Sequence, residues 1–111
     1  MKKLKIILNQ SEESEQSDVA TQNQEKLKTP DLYKVILMND DFTPMDFVIE
    51  ILSKVFHHDS KKSTEIMLDV HEKGAGVAGV FTYGVAETKT YVVNNQARKN
   101  NFPLKAIIEK E

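Results

Sequence analysis

The feature that most constrains this chain is an abrupt change from a strand-forming run to a helix-forming one. Tyr33-Lys34-Val35-Ile36-Leu37-Met38 is rich in β-branched and aromatic residues, with Pro30 before it and Asn39-Asp40-Asp41 after it. Such a bounded run predicts a strand. Thr43-Pro44 then has the form of a helix start, with Thr as N-cap and Pro at the first helical position. Behind it Met45, Val48, Ile49, Leu52, Val55 and Phe56 recur at helical spacing, which predicts a helix to about Phe56.

The remaining elements follow from the same rules. His57-His58-Asp59-Ser60 breaks the first helix, and Asp59 or Ser60 caps a second that carries Ile66, Met67, Val70 and His71. Gly74 can end that helix as a left-handed residue. Val77 to Thr82 reads as a second strand. Val85 to about Asn100 reads as a third helix, stopped by Asn100-Asn101 and Pro103, and Leu104 to Glu109 as a final strand. The order β-α-α-β-α-β implies an α+β domain over residues 29–111, a three-stranded antiparallel sheet with three helices packed on one face. Val85, Ala86 and Val93 are expected in its core. Residues 1–28 are expected to form a flexible N-terminal extension. From Asn9 to about Lys28 the chain is mostly Gln, Ser, Glu and Asn, and such a stretch cannot bury enough apolar surface to offset its ordering entropy.

Composition excludes several function classes. There is no cysteine, which removes disulfides, thiolate metal sites and cysteine nucleophiles. Fifteen Lys+Arg against seventeen Asp+Glu give a net charge of −2, without the clustered positive face that nucleic-acid binding requires. Met1-Lys2-Lys3-Leu4-Lys5-Ile6-Ile7-Leu8 is too short and too interrupted an apolar run for a secretory signal or a membrane span. A cytoplasmic, monomeric protein with no cofactor, no bound metal and no membrane or nucleic-acid partner is expected.

Chemistry concentrates in two clusters. In Asn39-Asp40-Asp41-Phe42-Thr43-Pro44-Met45, turn-forming side chains and a helix cap account for much of the polarity. Two successive carboxylates nevertheless exceed what one cap requires, and they repel each other unless a cation compensates. Beside them stands the apolar Met45. An acidic rim over an apolar wall suits a ligand that is cationic at one end and greasy just behind it. The second cluster is Met67, Val70 and His71, which share a helix face at spacings of three and four residues. A core stripe with one satisfied histidine has the same pattern, as does an adaptable Met-lined pocket. His57-His58-Asp59 is a poor chelator, because neighbouring histidines in a turn point apart. A hydrolase built on His71 and Asp40 lacks a Gly-x-Ser-x-Gly elbow. Glu87 and Lys89 read as solvated charges or as part of a docking surface.

The stretch Tyr33–Val48, with its Asn-Asp-Asp-Phe-Thr-Pro-Met core, resembles the signature of the ClpS family of ATP-dependent protease adaptors. So do Met67-Leu68-Asp69-Val70-His71, Gly79-Val80-Phe81-Thr82, Val85-Ala86-Glu87-Thr88-Lys89 and Pro103-Leu104, in order, from about Pro30 to the C-terminus. The resemblance implies a non-enzymatic adaptor that binds proteins beginning with Leu, Phe, Tyr or Trp and delivers them to a Clp-type AAA+ unfoldase-protease. On that basis Asn39, Asp40 and His71 bind the α-amine. Asp41, Thr43, Met45, Val48, Met67, Val70 and Leu104 surround the first side chain, with Met45 as a gate against β-branched residues. Glu87 and Lys89 fall on the surface that docks to the unfoldase's N-terminal domain. Gly84 departs from members that carry an acidic residue at that place. The alternative is a general interaction domain of ribosomal-stalk-like architecture that does not recognise N-termini.

Overall fold

The computed structural model describes residues 29–111, and the expected extension at 1–28, with its Met1–Leu8 start, lies outside the described residues. Asp31–Glu111 form one compact unit. Its elements are β1 (Tyr33–Met38), α1 (Met45–Lys54), α2 (Ser60–Lys73), β2 (Ala75–Phe81), α3 (Tyr83–Lys99) and β3 (Lys105–Lys110). This is the expected β-α-α-β-α-β order, and the three-stranded sheet is antiparallel throughout, with spatial order β2-β1-β3.

The first of the described strands is therefore the sheet's centre. Met38 lies opposite Ala75 on one side and Lys105 on the other, and Tyr33 opposite Phe81 and Lys110. Alternation in β1 sends Val35 and Leu37, both fully buried, to the helix-covered face, while Lys34 and Ile36 face away. Burying one such side chain contributes about 1.5–3 kcal/mol. Leu52 of α1, Ile66, Met67 and Val70 of α2, and Val93 of α3 close the same core, with Ala78, Ala86, Ala97 and Ala106 where backbones come close. Gly76 marks the closest approach: a Cβ there would lie 2.8 Å from Val70 Cγ2 and 3.2 Å from the Ile66 carbonyl oxygen.

Local signals explain most boundaries. Asp59 caps α2 by accepting the Lys62 N–H at 2.7 Å, and Gly74 ends it at φ 89°, the left-handed region. Four expectations shift. The residue preceding α1 is Pro44 rather than Thr43, because the Thr43 hydroxyl is taken by the Asp40 carboxylate, and the Pro44 carbonyl accepts from the Phe47 and Val48 amides instead. β2 starts two residues earlier than Val77, directly after the Gly74 turn, and α3 starts at Tyr83 after an extended Thr82. Val85 is not core: it is 45% exposed. Ala86, Val93 and Ala97 set the buried stripe of α3, and Val85 is turned about 100° away from Ala86.

Candidate functional site

The turn after β1 is built around one carboxylate. Asp40 Oδ1 accepts the Phe42 and Thr43 amides at 2.8 and 2.7 Å, and Oδ2 accepts the Thr43 hydroxyl at 2.8 Å. Partial burial of Asp40 pushes its pKa up, but the three hydrogen bonds, from the Thr43 hydroxyl and the Phe42 and Thr43 amides, outweigh it and hold the group below its ordinary 3.8. Asp40 thus stays ionised and shapes the loop. Asp41 is exposed, and among the described residues its carboxylate accepts no hydrogen bond. The excess carboxylate noted in the sequence is therefore Asp41, and the turn-forming one is Asp40.

The Asn39 N–H donates to the Gly74 carbonyl at 3.0 Å, which joins the end of β1 to the end of α2. That bond brings the two sequence clusters together. Asn39, Asp40, Asp41, Thr43, Met45, Val48, Met67, Val70 and His71 line a single cavity of about 260 Å³. Nine of the ten residues expected around a ligand's amine and side chain therefore meet in one place. The tenth, Leu104, is 4% exposed and belongs to the core rather than to the cavity lining. Val48, Met67 and Val70 form buried walls, Met45 is 45% exposed, and His71 and Asn39 are exposed polar groups. The volume lies below the ~300–1,000 Å³ of ordinary small-molecule sites, so it suits one side chain and its charged end.

The other singled-out residues lie elsewhere. Glu87 is exposed on α3. Lys89 is half-buried rather than solvated. Its ammonium donates to the Val55 carbonyl at 2.7 Å and stands 5.7 and 5.4 Å from the Phe56 and Phe81 ring centroids. Val55 is the C-cap of α1, so the lysine satisfies an orphan carbonyl at the negative end of a helix. A half-buried lysine 34 residues from its acceptor has no local sequence signal. His58 is likewise engaged, its Nε2 2.6 Å from the Ala78 carbonyl oxygen, while His57 is exposed with φ 61°. Among the described residues no cluster of His, Asp and Glu is arranged to hold a metal ion, and no helix is long and apolar enough to cross a membrane.

Fold and cavity together define a small α+β binding domain with an acid-rimmed apolar pocket at the end of its central strand. Residues 28–107 match the family described as ATP-dependent Clp protease adaptor protein ClpS. The chain is 52% identical over 98 residues to the ATP-dependent Clp protease adapter protein ClpS of Bdellovibrio bacteriovorus, covering 88% of this chain and 86% of that one. It is 55% identical over 86 residues to the protein of the same name from Cronobacter sakazakii, covering 78% and 81%. A solved structure, Agrobacterium tumefaciens ClpS2 bound to L-phenylalaninamide, aligns with a TM-score of 0.72 at 36% identity, over 75% of this chain and all of that one. The chain belongs to the ClpS family of Clp protease adaptors.

Proposed function

We propose that this domain binds the free N-terminus of proteins beginning with Leu, Phe, Tyr or Trp, and delivers them to a Clp-type AAA+ unfoldase-protease for degradation. The observation that carries this reading is the single cavity uniting Asn39, Asp40 and His71 with Met45, Val48, Met67 and Val70. The likeness to a ClpS2 structure bound to L-phenylalaninamide supports it, because that ligand combines a free α-amine with one large apolar side chain.

An α-amine has a reference pKa of about 7.7–8.0 and is mostly cationic at neutral pH, which supplies the counter-charge that adjacent carboxylates lack. A carboxylate offers about four acceptor sites. Asp40 uses both on Oδ1 and one on Oδ2, so one remains on Oδ2 for an amine N–H. Asn39 and His71 complete the cradle, and the first side chain enters between Val48, Met67 and Val70. Met45, half-exposed at the mouth, acts as the gate against β-branched residues. Leu104 acts from behind, as core backing. A charged hydrogen bond contributes about 1.5–3 kcal/mol and one buried apolar side chain about 1.5–3 more. After the cost of association, affinity of about micromolar strength is the ceiling for so few contacts. Glu87 and Lys89 contribute to the surface that meets the unfoldase's N-terminal domain, and the adaptor acts as a cytoplasmic monomer without catalysis of its own.

A titration of a labelled Leu- or Phe-first peptide, beside the same peptide N-acetylated, tests the reading. The free amine is expected to bind and the acetylated form to fail. Equal affinity for the two overturns the proposal.

A further inference from the structure

The two edges of the sheet are built differently. β3 carries Lys105, Glu109 and Lys110, whereas β2, Ala-Gly-Val-Ala-Gly-Val-Phe, has neither a charge nor a proline. Charged residues and prolines are devices by which native sheets prevent a further strand from adding. β3 is guarded by charge, whereas β2 carries only the bulge at Ala78, which leaves Ala75–Val77 unguarded. The Asn39 N–H to Gly74 carbonyl bond sets the phase of the ladder. With Met38 opposite Ala75 and Ile36 opposite Val77, the residues Ala75 and Val77 fall in non-hydrogen-bonded pairs and turn N–H and C=O away from β1. Past the register shift that follows Val77, His58 Nε2 meets the Ala78 carbonyl. Among the described residues the open edge therefore runs from Ala75 to Val77. It borders a groove of about 660 Å³, flanked by Lys62, Ile66, Asp69 and Lys73 of α2 and by Lys34 and Ile36 of β1.

We propose that this edge and groove bind an extended, acidic segment of another polypeptide, added beside β2 as a fourth strand. Charge selects the occupant. The two carboxylates in the groove are already engaged, Asp69 at 3.4 Å from Lys73 and Glu109 at 3.9 Å from Lys34. Lys62 has no carboxylate partner among the described residues, so the groove has lysine charge to spare. A second copy of this chain fits badly. A two-fold antiparallel pairing through Val77 sets the paired Asp69–Lys73 end of one α2 beside the Lys62 end of the other, which leaves Lys62 without a free counter-charge. An acidic strand gives Lys62 the counter-charge it lacks, while its alternate apolar side chains lie against Val77, which is 42% exposed. The groove uses a different face of α2 from the one that presents Met67, Val70 and His71, so it and the amine cavity can be filled together.

The full chain is titrated with acetyl-Glu-Val-Glu-Val-Glu-Val-amide, whose blocked N-terminus cannot use the amine cavity, and with the same peptide carrying Lys for Glu. The acidic peptide is expected to bind saturably, more weakly as salt rises, and to slow amide exchange at Ala75 and Val77. The double variant Lys62→Glu, Lys73→Glu, changed at exposed positions and checked by an unchanged thermal transition, is expected to lose about tenfold in affinity. Equal binding of the two peptides, binding without protection at Ala75 and Val77, or undiminished binding by the double variant overturns the proposal.

Discussion

Asp40 and Asp41 are neighbours with the same side chain and different work. Asp40 accepts three bonds from its own loop, whereas Asp41 faces the cavity without an internal partner among the described residues. The folded pKa of Asp40 lies below its ordinary 3.8, so its contribution to stability is fully present above that value. It is lost as pH falls further, through the lowered folded pKa. The Phe42 and Thr43 amide resonances, followed by NMR, should therefore titrate together with a midpoint below 3.8; a midpoint at or above it contradicts the bonding described. Asp40→Ala should remove both the amine contact and the loop's bracing. Leu-first peptide binding should fall at least about tenfold, while the thermal transition drops only modestly because the residue lies outside the core. Neither distinction could be read from composition. A pair of aspartates before Thr-Pro looks alike in sequence, and only the folded turn separates the one that bonds inward from the one that does not.

At the scale of elements, α1 and α3 are tied together by Lys89. Replacing it with Met keeps the aliphatic stem but leaves the Val55 carbonyl without its ammonium and removes the charge near Phe56 and Phe81. Urea unfolding of Lys89→Met should show a loss of about 1–2 kcal/mol, as expected for a charged hydrogen bond with a partly exposed donor. Any docking defect of such a variant is then partly a loss of shape at the α1 C-terminus. Gly76→Ala should cost about 1–3 kcal/mol in the same assay, since the new methyl meets Val70 and the Ile66 carbonyl with little room to yield. The elements themselves were largely legible. Tyr33–Met38 has matching bounds in sequence and structure, because Pro30 and the Asn-Asp-Asp turn punctuate it on both sides. Gly74 and Asp59 announced the ends of α2 for equally local reasons. What stayed hidden depended on distant partners. The exposure of Val85 follows from which face of α3 meets the sheet, and the burial of Lys89 from an acceptor on another helix. The pocket residues were legible in two halves, Asn39–Met45 and Met67–His71, but not the core placement of Leu104, which comes from β3 closing beside β1.

For the whole molecule, capture and delivery should separate. Among the described residues the cavity is lined by residues from 39 to 71, so deleting residues 1–25 is expected to spare peptide binding. Degradation of a Leu-first substrate by the unfoldase-protease should be abolished by the same deletion; unchanged degradation would make those residues incidental to delivery. The Asn39–Gly74 hydrogen bond has a wider consequence. It is at once a rung at the end of the sheet and the seam where the two halves of the cavity meet. The cavity therefore cannot gape without unzipping the central strand from its terminus, and local breathing there is coupled to fraying of the ladder. A site joined in this way is held together on its strand side before any ligand arrives, which lowers the conformational tax on encounter.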